Sequence, residues 1–104
     1  MTKVFIVNDT GHNYSAAEQY GELVVMSKGF IHSLQPSKMI RDFDEFLKHS
    51  SPDDYILHSG PSIMNSIACA LFAVKHDKLN LVIFTGDGYD ARRLDFKNFK
   101  EKGY

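Results

Sequence analysis

The sequence predicts an α/β fold: a small Rossmann-like three-layer domain with a mostly parallel sheet of four to five strands, in an order of about 2-1-3-4, and two long helices. Three observations carry that expectation. Apolar runs of strand length alternate with longer runs of helical period, the pattern of strands joined by helical crossovers. The strand runs KVFIV, YIL and NLVIF lack the in-out alternation of a half-exposed sheet, which suits strands covered on both faces. The third strand passes through Ser59-Gly60-Pro61 directly into the most apolar helix of the chain.

Residues 3–7 form the first strand, stopped by the turn cluster Asn8-Asp9-Thr10-Gly11. Residues 9–20 are polar around a small helical island, with Ser15 three positions before Glu18 as in a capping box. Gly21 ends it. Residues 22–27 read as the second strand, broken by Lys28-Gly29, and residues 30–35 as irregular. Pro36 suits a first helical position and opens a helix over 36–49. Met39, Ile40, Phe43, Phe46 and Leu47 make its apolar stripe, and Ser50-Ser51-Pro52 stops it. Residues 54–58 are the third strand. In the helix over 61–76, Ile63, Met64, Ile67, Ala68, Leu71 and Val74 carry the period; Ala70, Phe72 and Ala73 extend it, so this is the more buried helix. Residues 80–85 are the fourth strand. After Gly86-Asp87-Gly88, YDARRLDF returns as an antiparallel edge strand.

At 104 residues the chain is expected to be one domain, residues 1–104. A hydrophobic share of 43%, with eight Phe and five Tyr, supplies one core and argues against disorder. A net charge of −1 gives no global attraction to nucleic acid or to an anionic membrane. Residues 91–104 hold five basic against two acidic side chains, leaving +3 on this tail and −4 on the rest. Such a short mixed tail reads as solvated rather than as a nucleic-acid site. The single Cys69 lies in an apolar helix and fits a reducing cytoplasm. No leader or membrane span is read from the sequence, so a soluble cytoplasmic protein is expected.

With strand two outside strand one, the chain changes direction between strands one and three. Ligands of open α/β sheets bind at the carboxyl ends of strands beside such a switch point. Asn8 and Asp9, His58-Ser59-Gly60, and Asp87 fall at those ends, with His12 and Tyr14 on the long loop above and Ser62 at the start of the following helix. The helix start offers backbone N–H groups to an anion. Neither a P-loop nor a G-x-G-x-x-G fingerprint is present. The five histidines have no metal-binding spacing, and Ser59 lacks a nucleophile elbow. No cofactor, metal or catalytic residue is therefore assigned.

The segments VFIVND, YSAAEQYGELVVM, DDYILHSGPSIMNSIACAL and NLVIF resemble small α/β proteins carried by bacteriophages and prophages, over residues 4 to about 85. The resemblance implies an accessory protein working in the host cytoplasm and brings no catalytic residue with it. The expected function is non-enzymatic binding, at the strand ends, of a small anionic, nucleotide-like ligand or of a host protein. The alternatives are a self-assembling interaction module, as a homodimer for example, and a small phosphoester hydrolase using Asp9, His58 and Asp87.

Overall fold

The computed structural model describes residues 1–30 and 35–101. Its centre is a five-stranded, mostly parallel mixed sheet in the order β2-β1-β3-β4-β5. β1 (Lys3–Ile6), β2 (Glu22–Val25), β3 (Tyr55–Leu57) and β4 (Lys78–Phe84) are parallel, and β5 (Tyr89–Asp95) runs antiparallel to β4. The order differs from the expected 2-1-3-4 in having a fifth strand on the outer edge. The tight turn at Gly86-Asp87, closed by Thr85 N–H donating to Gly88 O at 2.9 Å, sends the chain back along β4.

Two long helices, α1 (Pro36–Leu47) and α2 (Ser62–His76), join β2 to β3 and β3 to β4; a short α3 (Lys97–Glu101) follows β5. The stretch expected to be irregular at 30–35 lies mostly outside the described residues, as do His32 and the Lys102 and Tyr104 end of the basic tail. Both long helices cover one face of the sheet. There Phe5, Ile56 and Leu79 meet Met39, Phe43 and Leu47 of α1 and Met64, Ala68 and Phe72 of α2. Val4, Ile6, Leu57 and Val82 point to the other face, which Tyr14 and Ala17 cover. Both belong to the loop and 3-10 helix (Ser15–Tyr20) joining β1 to β2. A single crossover hand accounts for this division. The first connection steps one way across the sheet and the next two step back, so they land on opposite faces. The layer on that second face is thin, a two-turn 3-10 helix with its loop.

Three expectations about the helices need correction. The α1 stripe is narrower than predicted: Met39, Phe43 and Leu47 are buried, while Ile40 and Phe46 are 46% and 39% exposed. These two flank the stripe at the i+1 and i+7 positions, and only its centre line reaches α2 and the sheet. In α2, Val74 is exposed because the buried line runs Met64–Ala68–Phe72. Ser15 makes no capping box; it is the first residue of the 3-10 helix, and Asn13 Oδ1 accepts its N–H at 2.9 Å.

A polar network closes the amino end of the sheet. The carboxylate of buried Asp54 accepts from Lys3 N–H and Ser51 N–H, each at 2.8 Å, and buried Asn80 donates to Pro52 O and Asp54 O. At the C-terminus of α2, Asp77 takes the left-handed conformation (φ 56°) and donates its N–H to Ala73 O. Beside it, Ser50 Oγ donates to Leu47 O at 2.6 Å, so it accepts from His76 Nε2–H at 2.8 Å. Burial, reinforced by Lys75, pulls the His76 pKa below its ordinary value.

Candidate functional site

The turn after β3 is built by one residue inside the helix that follows it. Asn65 is fully buried; its Oδ1 accepts from Ser59 N–H at 2.9 Å. Its Nδ2 donates to Ser59 O at 2.8 Å, Pro61 O at 2.9 Å and Gly60 O at 3.3 Å. The amide thus ties the backbone of residues 59–61 to the start of the helix. A Ser or Gly just before the first turn is the usual cap of a helix. Instead Pro61 occupies the N-cap with no side-chain cap, and Ser59 Oγ turns back to accept from Asn8 N–H at 3.3 Å. Gly60 sits at φ +80°, and a Cβ there would lie 2.6 Å from Asn8 Cβ. Both the backbone conformation and the close approach demand glycine.

Above this turn lies a cleft of about 400 Å³. Leu57, His58, Ser59 and Gly60 form its floor at the end of β3. Thr10, His12, Asn13 and Tyr14 bound one side from the β1 loop, and Phe84 and Tyr89 bound the other from the β4–β5 hairpin. Its walls are largely aromatic. The Phe84 and Tyr89 rings lie 5.4 Å apart at 58°, and His12 meets Tyr14 edge-on at 6.2 Å. The Tyr14 hydroxyl accepts from Thr10 N–H at 3.2 Å, which holds the loop closed over the sheet. Burial raises the Tyr89 phenol above its ordinary pKa. Among the described residues no Lys or Arg lines the cleft.

The structure brings together five of the predicted site residues: His12, Tyr14, His58, Ser59 and Gly60. The other four stand apart from the cleft walls, each for a physical reason. Asn8 is buried beneath the turn, donating to Gly29 O at 3.0 Å and accepting from Ser27 Oγ at 2.6 Å. Asp9 Oδ1 accepts from Gly11 N–H at 2.8 Å, and its backbone pairs on toward Lys28. Ser62 is exposed on the first turn of α2. Asp87 sits in the β-hairpin turn. The carboxylates that a hydrolase would need are therefore elsewhere. Among the described residues no group of His, Cys, Asp or Glu is placed to hold a metal. Cys69 is half-buried and burial pushes its thiol up to about 11, the opposite of an activated thiolate.

Sequence reasoning missed Thr10, Asn13, Phe84 and Tyr89 as cleft residues and Asn65 as the residue that shapes its floor. Phe84 is one more apolar position in the strand run NLVIF, and Asn65 is a polar residue within an apolar helix, so neither pattern signals the role. A family model described as phage Pam3 gp32-like protein matches residues 2–96. The chain belongs to this family. The phage Pam3 gp32-like match spans all five strands and both long helices, so the cleft lies wholly within it. Nothing matches among curated proteins or solved structures. No helix among the described residues is long and apolar enough to cross a membrane.

Proposed function

We propose that this phage-family protein is a non-enzymatic accessory protein that holds a small nucleotide-like ligand in the cleft at the carboxyl ends of β1, β3 and β4. The carrying observation is the cleft itself: about 400 Å³ between the Tyr14 loop and the Phe84–Tyr89 pair, on a floor fixed by Asn65. Its volume suits a small molecule and its walls suit a planar ring. Ser59, Asn13 and Thr10 supply hydrogen-bonding groups at its edge. An anionic group of the ligand is best served just beyond Gly60, where the first N–H groups of α2 lack partners within the helix. We read the topology as Rossmann-like, with the cleft at the switch point between β1 and β3, and the host cytoplasm as its place of work. A side chain of a host protein is the other occupant the same walls would accept.

Isothermal titration with nucleotides, nucleosides and inorganic phosphate tests the reading. Nucleotides or nucleosides are expected to bind, and Phe84→Ala to weaken binding about 5- to 150-fold, the value of one ring stack. No heat with any ring-bearing ligand contradicts it, and binding unaffected by Phe84→Ala moves the ligand away from the cleft.

A further inference from the structure

We propose that the free edge of β5 is a self-pairing surface, and that two copies of the chain join there into one continuous ten-stranded sheet. The hydrogen-bonding pattern of the β4–β5 ladder sets which backbone groups of β5 face outward. Thr85 N–H bonds Gly88 O at one end of the hairpin, and Phe96 N–H bonds Asp77 O at the other. Antiparallel pairs alternate between bonded and non-bonded. With Phe84 opposite Tyr89 and Lys78 opposite Asp95, the backbone groups of residues 89, 91, 93 and 95 point away from β4. Two side-chain contacts agree, each using one of a carbonyl's two lone pairs and leaving the other for a partner strand: Tyr20 Oη donates to Tyr89 O at 2.8 Å, and Arg92 Nη1 donates to Ala91 O at 3.0 Å. Among the described residues β5 pairs with β4 alone.

Side chains then decide the register. A two-fold axis perpendicular to the sheet pairs each residue with one on the same face, so the axis must pass through a residue. An axis at Asp90, Arg92 or Arg93 sets that charge against its own copy. An axis at Ala91 does not; one at Leu94 does not either, but it overlaps only residues 93–95 of β5, against 89–93 for Ala91. On the Ala91 axis, Ala91 bonds Ala91 of the second copy, Tyr89 pairs with Arg93, and Asp90 stands opposite Arg92 twice, in the closer non-bonded pairs. Asp90 and Arg92 already approach within 3.6 Å along one strand, so the two copies would complete a ring of alternating charge. Both are exposed in the single chain, and Arg93 is held on the opposite face over the Tyr55 ring. Charge on an edge strand ordinarily discourages pairing; here its order is self-complementary.

The test is the mass of the full chain by light scattering across a range of concentrations, with three variants. The wild type is expected to show a concentration-dependent species of twice 11.8 kDa. Ala91→Pro removes an outward N–H and no β4 bond, so circular dichroism should be unchanged while the dimer dissociation constant rises at least tenfold. Asp90→Arg and Arg92→Asp should each be monomeric alone and should associate when mixed. A wild type that stays monomeric at every concentration overturns the proposal. So does a dimer insensitive to Ala91→Pro, or a failure of the two charge variants to associate when mixed.

Discussion

Asn65 and Gly60 show how much of the cleft rests on single residues. Replacing Asn65 by Leu leaves Ser59 N–H and the carbonyls of Ser59 and Gly60 without this partner, inside a fully buried site, while Pro61 O keeps the helix N–H groups of residues 64 and 65. Replacing it by Asp keeps the acceptor and turns an oxygen toward three carbonyl oxygens. Each change should cost at least about 2 kcal/mol in urea denaturation, since an unsatisfied buried group costs roughly 1–3 kcal/mol. Ser62→Ala, on the exposed first turn of the same helix, should stay within about 0.5 kcal/mol. Gly60 was legible because a glycine between a strand and a helix signals a special turn. Asn65 was not, since a polar residue in an apolar run reads as a surface position until the backbone it bonds is known. Asn80 escaped for the same reason: it is buried and its amide bonds Pro52 O and Asp54 O, distant in sequence.

At the scale of elements, the helices and strands were legible because apolar period is a local property. Which part of each stripe becomes buried depends on what packs against it. Phe43 and Phe46 separate the two. Phe43→Ala should destabilise by about 3–5 kcal/mol, and Phe46→Ala by under about 1 kcal/mol, because Phe43 is 2% exposed and Phe46 is 39% exposed. The joint between α1 and α2 adds a pH dependence. His76 has a lowered pKa in the fold, so the unfolded chain takes up the proton more readily. Its neutral form contributes fully above the ordinary value of about 6.5, and that contribution is lost as pH falls from there through the lowered folded value. Melting temperatures measured between about pH 7.5 and 5 should therefore fall more steeply for the wild type than for His76→Gln.

For the whole molecule, the topology makes the cleft. A change of direction between β1 and β3 leaves their carboxyl ends open, and a thin second face lets the Tyr14 loop close over them. The parallel order and the switch point were legible from the succession of runs. The aromatic wall was not, because it needs the β4–β5 hairpin to bring Phe84 and Tyr89 across from Tyr14. That wall is the basis of the proposed ligand. Amide chemical-shift mapping of the full chain during a nucleotide titration tests it most directly. The account predicts saturable shifts at Thr10–Tyr14, Leu57–Gly60, Phe84 and Tyr89. Shifts absent there, or confined to residues away from the strand ends, would contradict it.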